Sequence, residues 1–144
     1  MSPTILIADD DRELDKLYEH YLSRCGYRVL TASGGVECLS IIHHEFPAVI
    51  VASVDMPWGG AEGLLDYLSE ESGPQCNPNV ILTGYTADEN VAQLREASCV
   101  FRYLRKPFLM GRLLDCIRAI EFDLRDAGRP DVSCRLRKPV VACH

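Results

Sequence analysis

The fold class of this protein can be predicted from the stretch Pro47-Ala-Val-Ile-Val-Ala-Ser53-Val-Asp-Met-Pro-Trp-Gly-Gly-Ala-Glu-Gly63. Branched apolar residues run from Val49 to Val51 without polar alternation, which is typical of a strand buried on both faces. The polar turn and the glycines that follow predict a loop and then the start of a helix. The strand ends at Ser53, so the chemistry of the following loop depends on a serine hydroxyl.

The same strand and helix unit recurs along the chain. Apolar runs bounded by turn residues predict strands at 4–8, 27–32, 48–53, 80–83 and 99–104. Apolar residues at helical spacing follow each run, and the last helix is expected to end near Ala127. Gly26 is the expected C′ residue of the first helix, and Thr86 with Glu89 predicts a capping box for the fourth. The alternation predicts an α/β fold with a doubly wound, five-stranded parallel sheet.

Length and charge limit the class of protein. With 144 residues, 47% of them apolar, the chain is sized for one soluble domain with a proper core. The net charge of −6 argues against a general nucleic-acid-binding surface. Aspartates directly follow the first apolar run, and no apolar stretch approaches the roughly 18–20 residues that span a bilayer. We therefore expect a cytoplasmic protein without membrane attachment.

The last residues differ in composition from the rest. Gly128-Arg129-Pro130 breaks the final helix, and residues 129–144 carry four basic residues against one acid, Asp131. Such a segment is more often a disordered end or linker than a nucleic-acid patch. The chain is therefore divided into a domain at 1–127 and a basic tail or linker at 128–144.

Polar side chains with related chemistry follow four of the predicted strands. In open parallel sheets, ligands bind outside the carboxyl ends of the strands. The residues at those ends are Asp9, Asp10, Ser53 to Asp55, Thr83 and Lys106. Carboxylates suit Mg²⁺, lysine provides a charge for an anionic oxygen, and threonine provides a hydroxyl donor. The set predicts a phosphoryl-binding site; the simpler alternative is that the aspartates only cap a helix.

In the order and spacing of its motifs, the chain resembles the receiver domain of bacterial two-component response regulators over roughly residues 3–127. The motifs are Ile5-Leu-Ile-Ala-Asp-Asp-Asp11, residues 47–63 with Asp55-Met-Pro57, Leu82-Thr-Gly84 and Tyr103-Leu-Arg-Lys-Pro-Phe108. The resemblance implies a flavodoxin-like (βα)5 fold with strand order 2-1-3-4-5. It also implies a non-enzymatic role, in which phosphoryl is taken from a histidine kinase onto an aspartate.

The resemblance assigns a role to each matching residue. Asp10 would bind Mg²⁺ directly, and Asp9 would bind it through water. Thr83 would be the switch hydroxyl, and Tyr103 the aromatic residue that turns inward on activation. Lys106 would contact the phosphoryl group, and the bond between Lys106 and Pro107 would be cis.

The chain departs from the family pattern at the acceptor. The family aspartate stands four residues before the proline of the Met-Pro pair, and that count from Pro57 gives Ser53. Counting six residues on from Pro47 gives Ser53 again. Asp55 then falls where the family uses a backbone carbonyl as a metal ligand. Because the serine hydroxyl is neutral, we expect weakened Mg²⁺ binding, and as a nucleophile the hydroxyl would need an adjacent base.

Three hypotheses follow for function. The leading one is a receiver-like module that does not use aspartyl phosphorylation and acts through protein contacts. The second is phosphorylation at a substitute site, either Asp55 or Ser53. The third, a hydrolase with Ser53 as nucleophile, is disfavoured because the sequence has no Gly-x-Ser-x-Gly elbow. Expected partners are a histidine kinase, a downstream effector, or a second copy contacting helix 4, strand 5 and helix 5.

A second departure falls on that output face. Five residues separate Ala97 from Tyr103, one more than the family pattern has, and the extra length carries Phe101 and Arg102. Both residue types are enriched in interfaces, so they are candidate partner anchors. Packing of Phe101 into the core is the alternative, and the sequence leaves the two open.

Overall fold

A computed structural model describes residues 3–56, 60–70, 78–86 and 88–127, so the tail at 128–144 and Pro57 lie outside the described residues. The strands are β1 (Thr4–Ala8), β2 (Arg28–Ala32), β3 (Val49–Ser53), β4 (Asn79–Gly84) and β5 (Val100–Arg105). The helices are α1 (Arg12–Arg24), α2 (Gly35–Glu45), α3 (Gly60–Ser69), α4 (Glu89–Leu94) and α5 (Met110–Ala127). Within the described ranges, no helix has the length and apolar character needed to cross a bilayer.

The five strands form one parallel sheet in the order β2-β1-β3-β4-β5, which confirms the predicted doubly wound, flavodoxin-like fold. Successive side chains of a strand enter opposite cores because the side-chain period is two. Ile5 and Ile7 pack beneath α1 and α5, whereas Leu6 and Ala8 pack against α2 and α3. The sheet order reverses between β1 and β3, and the carboxyl ends of these strands flank the crevice where ligands of such folds bind.

Local hydrogen bonds define the ends of helices α1 and α4. Gly26 has φ +97°, and its N–H donates to the carbonyl of Ser23, which confirms it as the C′ residue of α1.

The predicted capping box of α4 is wrong. The N-cap is Asp88, whose carboxylate accepts the N–H of Val91 at 3.0 Å. Because α4 begins at Glu89, that residue is too close to the cap to act as its N3 partner.

The extra residue in the sequence before Tyr103 is accommodated as a β-bulge. Val80 pairs with Val100, but the next residue of β4, Ile81, pairs with Arg102, which leaves Phe101 without a partner in the ladder. Phe101 is half-buried and packs against the core beneath α1 and α5. The structure therefore gives Phe101 a packing role, and the use of Phe101 and Arg102 in an interface remains a prediction.

Candidate functional site

The residues that end the central strands form one row at the carboxyl edge of the sheet. Ile7 belongs to the core beneath α1 and α5, so the alternation of β1 directs Asp9 to the same face. Val51 of β3 belongs to that core too, which places Ser53 on this face, and Ser53 is in register with Thr83 of β4. We call Asp9, Ser53 and Thr83 the edge row.

A buried ion pair closes one end of the edge row. The Nζ atom of Lys106 lies 2.8 Å from Oδ2 of Asp9, and their side chains are only 6% and 2% exposed. The other carboxylate oxygen of Asp9 accepts the backbone N–H of Asp11 at 3.0 Å. The backbone of Lys106 is held by its N–H bond to the carbonyl of Gly84, and the Lys106–Pro107 peptide bond is cis. Both oxygens of Asp9 are thus engaged by the protein itself.

The two hydroxyls of the edge row differ in their contacts. Ser53 is 1% exposed, and its Oγ accepts the N–H of Asp55 at 3.2 Å, which fixes the turn after β3. Thr83 is fully buried, and its Oγ1 has no hydrogen-bond partner among the described residues. Within the described part of the chain, no carboxylate or imidazole accepts a hydrogen bond from Ser53. Nothing there is positioned to activate the serine as a nucleophile.

The carboxylates of the predicted acidic pocket differ in their exposure. Asp10 and Asp55 are exposed, whereas Asp9 is buried in its pair with Lys106. Among the residues that the structure describes, no three His, Cys, Asp or Glu side chains are arranged to hold a metal ion. Mg²⁺ needs several oxygen ligands in near-octahedral geometry, and a carboxylate already paired with an ammonium is a poor one. Asp9 is thus already engaged by Lys106, and weakened Mg²⁺ binding remains a prediction.

Helix α1 adds two site residues that the sequence reading missed. Asp15 is 8% exposed, and in the part of the chain that the structure describes its Oδ1 has no hydrogen-bond partner. Tyr18, one helical turn further on, is fully buried with an unpartnered hydroxyl, and its ring stacks on Phe108 at 6.2 Å. The spacing of these residues in the sequence could have indicated their burial. Asp15 and Tyr18 lie on the same face of α1 as the N-cap Asp11 and the buried Leu22.

Burial and neighbouring charge shift the acidity of both residues. Burial is the main reason that the pKa of Asp15 rises to about 7, and the negative charges of Asp9 and Asp11 add to it. Lys106 opposes this rise by its positive charge. Burial likewise raises the pKa of the Tyr18 phenol. Asp15 is therefore a carboxyl group that changes charge near neutral pH beside the edge row.

The raised pKa of Asp15 predicts a pH-dependent stability. Its pKa is about 7 in the fold against an ordinary 3.8. Between these values the unfolded chain loses a proton that the folded protein keeps, so the free energy of unfolding falls as pH rises through this window. The fall is up to about 4 kcal/mol, at 1.36 kcal/mol per pKa unit. Asp15→Asn should remove this slope and be more stable than wild type at pH 8, measured by urea unfolding.

The matched control for this prediction is Glu19→Gln, which removes an exposed carboxylate from the same helix. This variant should keep the pH slope of the wild-type protein. An identical slope in wild type and Asp15→Asn between pH 5 and pH 8 would contradict the prediction.

Gly84 makes room for the ring of Tyr103. A Cβ atom at Gly84 would lie 2.6 Å from Cγ2 of Val54 and 2.8 Å from the hydroxyl oxygen of Tyr103. Tyr103 is half-buried, its hydroxyl donates to the carbonyl of Thr86, and Arg95 lies over its ring at 5.8 Å. The position of the tyrosine ring therefore depends on the missing side chain at Gly84.

We expect Gly84→Ala to displace the ring of Tyr103 and to cost about 1–3 kcal/mol of stability through overpacking. The displacement should appear as changed NMR shifts of the tyrosine ring and as faster hydrogen exchange of nearby amides. Gly111→Ala is the matched control, because nothing lies within 4 Å of a Cβ there. That change in α5 should be neutral or stabilising, by up to about 1 kcal/mol. Equal stabilities of the two variants would contradict this prediction.

Basic residues surround a cleft between α4, β5 and α5. The cleft has a volume of about 540 Å³, and its lining includes Arg95, Arg105 and Arg112. Phe108 and Leu109 provide apolar surface, and Leu109 is 79% exposed. We call this surface the arginine face. Its guanidinium groups suit carboxylates, while the apolar residues offer contact area to a protein partner.

Comparison with known proteins agrees with this geometry. The sequence profile of the response regulator receiver domain matches residues 5–118. The chain is 34% identical over 118 residues to the probable transcriptional regulator ycf27 of Guillardia theta, covering 81% of this chain and 44% of that protein. It is 36% identical over 121 residues to the response regulator MprA of Mycobacterium bovis, covering 83% of this chain and 51% of that protein. The chain thus spans about half the length of these relatives.

Solved structures match in the fold. The CheY-like receiver domain protein of Methanospirillum hungatei superposes with a TM-score of 0.77 at 21% identity, covering 90% of this chain and all of that one (100%). The receiver domain of the Francisella response regulator 1452 gives a TM-score of 0.73 at 26% identity, covering 83% of this chain and 96% of that one. Strand order, edge row and family match agree, and the chain belongs to the response regulator receiver domain family.

Proposed function

We propose that this receiver domain of a two-component system does not take phosphoryl onto an aspartate and acts instead through protein contacts. The observation that carries the proposal is Ser53, which ends β3 between Asp9 and Thr83 in the edge row. By its spacing from Pro47 and Pro57, this is the position of the family's acceptor aspartate. The proposed role is therefore regulatory and not enzymatic.

The chemistry of the edge row supports this proposal. A carboxylate is an anionic nucleophile, whereas a serine hydroxyl must lose a proton to a base during attack. Ser53 Oγ accepts the N–H of Asp55, and the nearest buried carboxylate in the row, Asp9, is held by Lys106. The lysine thus has an anionic partner inside the protein before any phosphoryl group arrives. These contacts favour one resting arrangement of the site.

The arginine face is the proposed contact surface. Three guanidinium groups around an apolar floor complement a partner with acidic and apolar residues. A histidine kinase, a downstream effector or a second copy of the chain could supply such a surface. Direct nucleic-acid binding is not part of the proposal, because the net charge of the chain is −6.

Treatment with a small phosphodonor tests the proposal. Wild-type protein is incubated with acetyl phosphate and Mg²⁺, and its intact mass is followed beside Ser53→Ala. We expect neither protein to gain a stable phosphoryl group. A mass gain in the wild-type protein that is lost in Ser53→Ala would show that Ser53 itself accepts phosphoryl, and the proposal would then fail.

A substitute acceptor at Asp55 is the second candidate function. Asp55 is exposed and lies two residues after the end of β3, so its carboxylate is accessible to a phosphodonor. Phosphorylation there would give an acyl phosphate, which hydroxylamine cleaves, whereas a serine phosphate resists it. A hydroxylamine-sensitive mass gain that disappears in Asp55→Asn would favour this candidate over the leading one.

A further inference from the structure

The charge of the chain is divided unequally along its sequence. Residues 128–144 hold Arg129, Arg135, Arg137 and Lys138 against Asp131, a charge of +3. Removing them from the total of −6 leaves −9 on residues 1–127. The tail also interleaves apolar residues with its bases, as Leu136 stands between two arginines and Val140-Val141 follow. An acidic domain thus carries a basic, partly apolar segment on the same chain.

A groove between α3 and α4 has the complementary character. It has a volume of about 450 Å³ and is lined at helical spacing by Glu62, Leu65, Asp66 and Ser69 from α3, and by Asn90, Gln93 and Leu94 from α4. Leu65 and Leu94 are 4% and 9% exposed and form its floor. We call it the α3–α4 groove.

The rim of this groove is acidic. Glu62, Asp66 and Glu96 are exposed along it, and the described lining residues include no lysine or arginine. Three exposed carboxylates around leucine side chains favour a ligand that has apolar anchors between cationic groups. The segment 135–141 has this pattern, whereas the aspartates at the carboxyl edge of the sheet offer charge without an apolar floor.

We propose that residues 135–141 of the tail dock in the α3–α4 groove of the same chain. Leu136 and the two valines would contact the leucine floor, and the neighbouring bases would pair with the acidic rim. Exposed pairs of this kind are individually weak, so the apolar contacts and the short tether supply the rest. The docking is intramolecular and independent of whether the chain is phosphorylated.

Residues 128–134 link the end of α5 to the proposed docking segment. Helix α5 has 18 residues, about 27 Å of helix, and runs back from the carboxyl edge to the amino edge of the sheet. Residues Ser98 and Cys99, at the start of β5, place one end of the groove at that amino edge. The seven residues 128–134 span up to about 24 Å when extended. A docked tail would also contact α4, and the residue that follows this helix, Arg95, belongs to the arginine face.

NMR of the full chain tests this inference. Backbone amide shifts of wild type are compared with those of the triple variant Arg135→Glu, Arg137→Glu, Lys138→Glu. We expect the differences to cluster on α3 and α4, around Leu65, Asp66 and Leu94, and to disappear at about 0.5 M salt, where charges are screened. Both described cores are formed by residues that precede 128, so the variant should keep the thermal stability of the fold.

A charge swap provides the matched control. The changes Asp66→Lys and Glu96→Lys, added to the triple tail variant, should restore the tail-dependent amide shifts on α3 and α4. The changes Glu19→Lys and Asp115→Lys, added to the same variant, should not restore them. Cross-linking with a bismaleimide, followed by peptide mapping, should join Cys134 to Cys99 within one chain. Three results would overturn the inference: groove shifts unaffected by the tail variant, tail-dependent shifts confined to Asp9–Asp11, or shifts that grow with protein concentration as the mass doubles.

Discussion

Replacing Ser53 with aspartate is expected to create both a phosphoacceptor and a stronger Mg²⁺ site. The new carboxylate would stand in the edge row beside Asp9 and Thr83, where β3 ends. Like charges in one buried row repel, so Ser53→Asp should unfold at lower temperature than wild type without metal. Mg²⁺ should reverse that loss in the variant and affect wild type little. Acetyl phosphate should then add one hydroxylamine-sensitive phosphoryl group to the variant alone.

Ser53→Asn separates charge from shape in this experiment. Asparagine has nearly the size of aspartate but no charge, so it should show neither the Mg²⁺-dependent stabilisation nor the phosphoryl gain. The prediction would be refuted if wild type, Ser53→Asn and Ser53→Asp all respond alike to Mg²⁺ and acetyl phosphate.

Lys106→Met is expected to destabilise the protein by about 3–5 kcal/mol, because it leaves Asp9 buried without its counter-charge. The pair is short, at 2.8 Å, and both side chains are almost fully shielded from water. Urea unfolding of the wild-type protein and of Lys106→Met at pH 7 measures this loss.

Two further variants test whether the loss of stability in Lys106→Met comes from the unpaired charge of Asp9. Asp9→Asn combined with Lys106→Met removes both charges and should recover much of the stability. Arg28→Met breaks the pair with Glu45, also 2.8 Å apart but with side chains 57% and 39% exposed. It should cost only about 0–1 kcal/mol. Equal losses in Arg28→Met and Lys106→Met would contradict the prediction.

The fold was largely readable from local sequence because its strands are apolar runs without alternation. Each run between turn residues became a strand within a residue or two, and the last helix ends at Ala127 as expected. The strand order came from the family resemblance, because the alternation of strands and helices alone does not fix it. The extra residue before Tyr103 was visible as a spacing, but its form as a bulge at Phe101 was not.

Features that depend on competition between neighbours were harder to predict. Thr86 was the expected N-cap of α4, but Asp88 is the N-cap. Both side chains can accept a backbone N–H, and Asp88 does so because the helix begins at the residue that follows it. Asp15 is one of two acidic residues in the first turn of α1, and the sequence analysis assigns it no role. Its burial follows from the closeness of α1 to the carboxyl edge, which no local pattern records.

The residues at the carboxyl edge could be predicted from sequence, because a strand's end and its side-chain alternation are local properties. Counting from two prolines also predicts Ser53 at the phosphoacceptor position, and this assignment remains a prediction. The pairing of Asp9 with Lys106, which lie 97 residues apart, depends on tertiary packing, as does the lack of a hydrogen-bond partner for the Thr83 hydroxyl among the described residues. Any of the three aspartates after β1 could have paired with Lys106. The pairing with Asp9 results from strand register and burial, which depend on long-range packing.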